Sequence, residues 1–117
     1  SIMVAHIAVK NNPQFDTKGL PSTLSEVIVQ ELLRDSLNFK GLIVTDAMNM
    51  GGVVSVPNSA TKAIQAGCDI LLMPVDAKKA HTEILNLYRT NSEFKKKVDE
   101  AAIRILRMKL CTGLLEN

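Results

Sequence analysis

The sequence predicts an α/β fold with parallel strands, and two features of the chain indicate this class. Short apolar runs at residues 2–9, 42–45 and 70–73 each lead through a polar loop into a helical pattern. These runs show little alternation of polar and apolar residues, which is typical of strands covered on both faces of a parallel sheet. Strands that alternate with helices are joined by right-handed crossovers and form a parallel sheet. In such sheets ligands bind beyond the carboxyl ends of the strands, so functional groups are expected there.

The first unit is predicted to be a strand, Ile2 to Val9, followed by a loop over residues 10–22 and then a helix. The hydroxyl of Ser25 is suited to cap the helix N-terminus. Apolar residues at helical spacing predict the buried face of this helix. They are Ile28, Val29, Leu32, Leu33 and Leu37.

The second unit begins at Gly41 and continues as the strand Leu42 to Thr45, with Asp46 at its C-terminal end. A loop over residues 48–57 leads into a short helix over residues 59–66. Gly67 is expected to close this helix, because glycine adopts the left-handed conformation without a steric penalty.

The third unit starts after Asp69 with a predicted strand over residues 70–73, which Pro74 ends, and continues as a helix over residues 77–89. A last helix is predicted from a Ser92 cap to about Gly113. One apolar stripe at helical spacing defines its buried face. The stripe contains Phe94, Val98, Ala101, Ala102, Ile105 and Leu106, and lies opposite Lys95, Lys96, Glu100 and Arg104.

Composition excludes several classes of protein. A hydrophobic content of 46% with 22% charged residues is too apolar for a disordered chain. The net charge of +2 is small and the basic residues are scattered, so neither nucleic acid nor a membrane surface is an expected partner. No apolar run approaches the ~20 residues of a membrane span, and the first residues lack the pattern of a secretory signal. Cys68 and Cys111 lack metal-ligand spacing, so reduced thiols and no metal or cofactor are expected.

Two predicted strand ends carry side chains that can do chemistry, His6 and Asp46. An aspartate at the end of a buried strand can act as a nucleophile, bind a metal, or cap the following loop. The residue types alone leave these three roles open.

Four segments together resemble the late barrel strands of glycoside hydrolase family 3, in the branch of β-N-acetylhexosaminidases. They are Ile2–Ile7 (IMVAHI), Leu20–Ser25 (LPSTLS), Phe39–Met50 (FKGLIVTDAMNM) and Ala66–Leu72 (AGCDILL), with Leu33-Arg34 between the second and third. The resemblance implies that residues 1–117 form the last three βα units of a TIM (β/α)8 catalytic barrel. A complete barrel takes about 250 residues, so the chain is expected to be a C-terminal fragment of that domain.

The resemblance also implies roles at the site. Asp46 matches the nucleophile of the family, and His6 lies on a strand end that lines the sugar pocket, as a substrate contact or as a structural, hydrogen-bonded histidine. Met48 and Asn49 are further candidates for substrate contact, although Met48 also fits a core position. The family's acid/base resembles a histidine on a mobile loop that precedes the matched segments. Many relatives carry a second acid where this chain has Ala47.

The activity implied is the removal of terminal β-linked N-acetylglucosamine with retention, as in bacterial peptidoglycan turnover, in the cytoplasm or the periplasm. The partner would be a saccharide that contains N-acetylglucosamine. One alternative is a β-glucosidase or β-xylosidase of the same family, whose acid/base would be a glutamate in a separate C-terminal domain. Another is a non-catalytic, flavodoxin-like binding module. The isolated 117 residues are expected to be inactive and to associate through exposed strand edges.

Overall fold

The computed structural model describes residues 1–115 and places two short strands side by side in a parallel sheet. Strand β1 (Ile2–Val4) pairs with β2 (Ile43–Thr45) in the register Ile2 to Ile43. Five helical segments surround the sheet, so the α/β class with parallel strands is confirmed. They are a 3-10 helix (Ser22–Leu24), a π-helix (Val27–Ser36), α1 (Ser59–Ala66), α2 (Ala77–Thr90) and α3 (Ser92–Cys111).

The first strand is shorter than the predicted range of residues 2–9, because its second half bonds to the following loop instead of the sheet. The Ile7 carbonyl accepts hydrogen bonds from the backbone nitrogen and the hydroxyl of Ser22, at 2.8 and 2.6 Å. The Val9 carbonyl accepts one from Thr17 N at 3.0 Å. These bonds bring the 3-10 helix against the segment that follows β1.

The third apolar run does not form the predicted strand, and a single parallel bridge joins Val44 to Ile70. The backbone nitrogen of Leu72 donates to the Thr45 hydroxyl at 3.0 Å, where a regular ladder would use a carbonyl. Met73 then takes a φ of 47°, which ends the extended conformation. The run nevertheless lies beside β2, since Thr45 N donates to Ile70 O at 3.0 Å.

The first predicted helix is a π-helix, which changes both its cap and its buried face. Glu26 occupies the N-cap without a side-chain bond, and Ser25 accepts from Val29 N through its carbonyl at 3.0 Å, so the predicted hydroxyl cap is wrong. Leu37 N bonds to Leu32 O, five residues back. Because the wider turn shifts the spacing of the apolar residues, Val29 is fully buried while Leu37 is 64% exposed.

The remaining helices begin and end close to the predicted positions. Gly67 closes α1 with a φ of 115°, as predicted. The side chain of Asp76 caps α2 by accepting from Lys79 N at 2.9 Å. Helix α3 is capped by Asn91, whose side-chain oxygen accepts from Phe94 N at 2.9 Å, so the predicted Ser92 cap is wrong by one residue.

The core lies between the sheet, the π-helix and α1, where Val29, Ile43 and Val53 are completely buried. On α3, the predicted stripe is buried at Phe94 and Ala101 but leaves Leu106 half exposed. None of the helices within residues 1–115 combines the length and apolar content that a membrane span requires.

A buried ionic cluster joins helices that the sequence patterns do not connect. Asp69, whose side chain is fully buried, accepts from Arg34 Nη2 at 2.5 Å, Arg104 Nη1 at 2.9 Å and Ile43 N at 2.9 Å. Arg34 Nη1 also donates to the Gly41 carbonyl at 2.6 Å. The cluster ties the π-helix, the start of β2 and α3 together. Arg104, which the sequence pattern places opposite the apolar stripe of α3, is therefore only a quarter exposed and bonds to a buried carboxylate.

The thiol of Cys68 lies next to this cluster, and burial raises the pKa of that thiol to about 12, with a further contribution from the Asp69 charge. Because the thiolate is the reactive form, Cys68 should resist a disulfide reagent such as DTNB at pH 8, whereas exposed Cys111 should react. In the native protein one thiol should thus react rapidly with DTNB, and in Cys111→Ser no thiol should do so. Two fast thiols would contradict the burial of Cys68.

The same shift predicts a dependence of stability on pH. A folded-state pKa above the unfolded value means that the folded protein holds the proton more tightly. The stabilisation is complete below the ordinary thiol pKa of 9.0 and is lost as the pH rises from there towards 12. Urea denaturation of the wild type and of Cys68→Ala at pH 8 and pH 10 measures the contribution of the thiol to the free energy of unfolding. Only the wild type should lose this contribution between the two pH values.

Candidate active site

Asp46 lies directly after β2, and the backbone holds it in place. Its backbone nitrogen donates to Val4 O at 3.0 Å, which continues the parallel ladder by one residue. One carboxylate oxygen, Oδ1, accepts from Ala47 N at 2.8 Å. The other oxygen, Oδ2, has no hydrogen-bond partner among residues 1–115. The half-buried carboxylate is thus fixed at one oxygen and open at the other, an arrangement suited to attack on an electrophile or to binding a polar group.

His6 lies two residues after the end of β1, and its two ring nitrogens both bond within the chain. Nδ1 is 2.7 Å from the hydroxyl of Thr23, and Nε2 is 3.0 Å from the carbonyl oxygen of Ala47. Because a carbonyl oxygen only accepts hydrogen bonds, Nε2 carries the hydrogen. In the neutral ring, Nδ1 then accepts from the Thr23 hydroxyl. The imidazole connects the 3-10 helix to the backbone beside Asp46.

Met48 and Asn49 lie in different surroundings from the Asp46 carboxylate. Met48 is buried in the core at 3% exposure, and its backbone nitrogen donates to Leu72 O at 2.8 Å. Asn49 is exposed in the turn that follows. Hydrogen bonds therefore bring together Asp46, Ala47 and His6, but not the side chains of Met48 and Asn49.

Gly52 allows the loop after β2 to pass close to His6. A Cβ atom on Gly52 would lie 3.1 Å from the Cβ of His6 and 3.3 Å from its carbonyl oxygen. These contacts are tighter than most real Cβ atoms make, so a side chain here would displace one of the two segments. Gly51, by contrast, has open space around it.

A cavity of about 340 Å³ lies between the loop after β2 and the start of α2. Its wall includes Val54, Val56, Pro74, Asp76 and Lys79, as well as Met48. Neither Asp46 nor His6 lines it, so the cavity is separate from the strand-end site. Within residues 1–115, no three His, Cys, Asp or Glu side chains gather closely enough to hold a metal ion.

Sequence reasoning identified Asp46 and His6 but missed Thr23 as a partner of the site. Thr23 is fully buried and lies 17 residues from His6 in the chain. Only its position within the segment LPSTLS could have drawn attention to Thr23. Hydrophobic periodicity does not indicate a contact between the 3-10 helix and His6.

The sequence and the fold of this chain are both similar to those of known proteins. Residues 1–108 match the glycosyl hydrolase family 3 N terminal domain. A curated relative from Cellulomonas fimi, named beta-N-acetylglucosaminidase/beta-glucosidase, is 32% identical over 97% of this chain and 22% of its own length. This chain spans about a fifth of that relative.

Solved structures of longer proteins share the fold. The beta-N-acetylglucosaminidase from Thermotoga maritima superposes with a TM-score of 0.77 at 27% identity, over 90% of this chain and 24% of its own. The beta-glucoside phosphorylase BglX bound to 2FGlc superposes with a TM-score of 0.74 at 34% identity, over 98% of this chain and 22% of its own.

Proposed function

This chain belongs to glycosyl hydrolase family 3, and we propose that residues 1–117 are the C-terminal part of the catalytic barrel of a retaining β-N-acetylhexosaminidase. The observation that carries the proposal is the placement of Asp46 at the end of β2, with Oδ1 held by the Ala47 N–H and Oδ2 open. The three successive chain segments that lie side by side, β1, β2 and the run after Asp69, are proposed as the last three strands of the barrel.

In this mechanism, Asp46 forms and then releases a covalent bond to the sugar. Its open oxygen attacks the anomeric carbon while the bond from that carbon to the leaving oxygen breaks, and an acid protonates the leaving group. The conjugate base then takes a proton from water, whose oxygen displaces Asp46 from the same carbon. Two inversions give retention. The hydrogen bond from Ala47 N to Oδ1 limits rotation of the carboxylate.

The proton donor is proposed to lie in a part of the enzyme outside residues 1–117. Both nitrogens of His6 are engaged within the chain, and His81 is exposed on α2. Neither is placed to protonate a leaving group beside Asp46. The relatives are several times longer than this chain and have room for such a residue elsewhere.

The proposed substrate is a saccharide with a terminal β-linked N-acetylglucosamine, with peptidoglycan turnover as the setting. The names of the Cellulomonas and Thermotoga proteins support this class. A β-glucosidase is the second candidate, because the Cellulomonas relative is named for both activities and BglX is a beta-glucoside phosphorylase. Membership of the family argues against the flavodoxin-like binding module.

A substrate panel tests the proposed function. The full-length protein should hydrolyse an aryl N-acetyl-β-glucosaminide with a kcat/KM at least about 10²-fold above that for the aryl β-glucoside or β-xyloside, because a site built to bond the acetamido group discriminates against sugars without it. Proton NMR of the first product should show the β anomer. A preference for the glucoside would support the second candidate, and an initial α anomer would rule out Asp46 as a nucleophile.

We also propose that the isolated 117 residues are inactive and self-associate. Within the described residues β1 has a strand partner on one side only, and Met3 and Ile7 are 55% and 66% exposed beside it. An unpaired strand edge with apolar neighbours can pair with a second copy. Size-exclusion chromatography with light scattering, run beside the glucosaminide assay, tests both statements. A monomer at all concentrations would contradict the association.

A further inference from the structure

We propose that His6 is a positioning residue for Asp46, held by buried Thr23 and acting through the backbone of Ala47. The proposal rests on the proposed function, in which Asp46 is the nucleophile. It gives His6 a role other than sugar binding or proton transfer. Three successive hydrogen bonds connect the Thr23 hydroxyl to the Asp46 carboxylate through His6 and Ala47.

Thr23 is held rigidly by its surroundings. Its side chain is fully buried in the 3-10 helix, and that helix is bonded to the segment after β1 through two hydrogen bonds from Ser22 to Ile7 O. The Thr23 carbonyl accepts from the buried thiol of Cys68 at 3.6 Å. Thr23 is therefore held by its neighbours and presents its hydroxyl to His6 Nδ1 from a fixed position.

The peptide between Ala47 and Met48 is held at both ends. Its carbonyl oxygen accepts from His6 Nε2 at 3.0 Å, and its N–H donates to Leu72 O at 2.8 Å. The preceding peptide donates from Ala47 N to Asp46 Oδ1. Fixing the Ala47–Met48 peptide limits rotation at Ala47. It therefore also fixes the direction in which the Ala47 N–H points at the Asp46 carboxylate.

The surroundings of His6 keep the ring in this position. A Cβ atom added to Gly52 would meet the Cβ and the carbonyl oxygen of His6, and no atom of the His6 ring is among its nearest neighbours. The loop after β2 thus passes close to His6, while hydrogen bonds to Thr23 and Ala47 hold its imidazole. This arrangement leaves no ring nitrogen for a substrate hydroxyl.

Loss of the His6 donor should change the chemical step more than substrate binding. A displacement of ~1 Å in a reacting group costs about 10² in rate. In the full-length protein, His6→Asn should therefore lower kcat about 10²-fold with little change in KM, because the asparagine amide reaches the position of Nδ1 but not that of Nε2. His6→Gln places an amide near Nε2 and should recover kcat to within about 10-fold of wild type.

Thr23 and His81 provide matched variants. Thr23→Val removes the hydroxyl at nearly constant volume and should lower kcat in the same direction as His6→Asn, whereas Thr23→Ser should retain wild-type kcat. His81→Gln, on the exposed face of α2, should have no effect. Equal losses in His6→Asn and His6→Gln, or a rise in KM with kcat unchanged, would overturn the positioning role.

A spectroscopic measurement separates this inference from the identity of the nucleophile. In the full-length protein labelled with ¹⁵N-histidine, the His6 ring should give the nitrogen shifts of a single Nε2–H tautomer, and Thr23→Val should move them towards the average of both tautomers. A wild-type ring that already averages both tautomers overturns the hydrogen-bond chain. If Asp46→Ala retains turnover, the proposed function fails, whatever the tautomer shows.

Discussion

Replacing Asp46 by alanine in the full-length protein should lower kcat on an aryl N-acetyl-β-glucosaminide by about 10⁴-fold or more, as removal of a nucleophile does in other enzymes. The carboxylate is the group that would bond the anomeric carbon, and no water molecule is held equally well to replace it. The fold should be unaffected, because the half-buried side chain makes one local hydrogen bond, to Ala47 N. Initial rates and circular dichroism spectra of wild type and variant measure the two effects.

Asp35→Ala is the matched control, since it removes an exposed carboxylate from the end of the π-helix. This variant should keep wild-type kcat. A slow fluorosugar substrate provides a second test, because it should leave a covalent adduct on the peptide that contains Asp46. Near-normal turnover by Asp46→Ala, or an adduct on another acid, would remove Asp46 from the proposed role.

The sequence predicted those parts of the fold and site that depend on strong local signals. The run Leu42 to Thr45 with Asp46 behind it predicted both a buried strand and a polar group at its end. Gly67 predicted the end of α1, because few other residues accept its φ of 115°. Each of these signals lies within the element that it describes.

The parts that sequence analysis missed depend on contacts between distant segments. The Thr45 hydroxyl accepts from the Leu72 N–H in place of a regular ladder bond, and nothing in the run after Asp69 indicates this. The contact between His6 and Thr23 is of the same kind. The periodicity of a segment indicates which of its faces is apolar. It does not indicate which side chain of another segment will contact that face.

The ionic cluster around Asp69 is the largest such omission, and its energetics depend on burial. Arg34 is only 7% exposed, so its charge cannot be hydrated if the carboxylate is lost. Its remaining partners would be neutral carbonyl oxygens, including that of Gly41. The N–H of Ile43, at the start of β2, would also lose its acceptor. The guanidinium of Arg104 is a quarter exposed and can turn to water.

Asp69→Ala should therefore lower the free energy of unfolding by about 3–5 kcal/mol, the usual cost of leaving a buried charge without its partner. That is a large fraction of the 5–15 kcal/mol typical of a domain. Urea denaturation followed by circular dichroism measures it. Arg34→Met in the Asp69→Ala background should recover part of the loss, because it removes the stranded charge, whereas Asp99→Ala, an exposed acid on α3, should cost less than about 1 kcal/mol. A loss below about 1 kcal/mol in Asp69→Ala would mean that solvent reaches Arg34 and that the cluster does not hold the π-helix, β2 and α3 together.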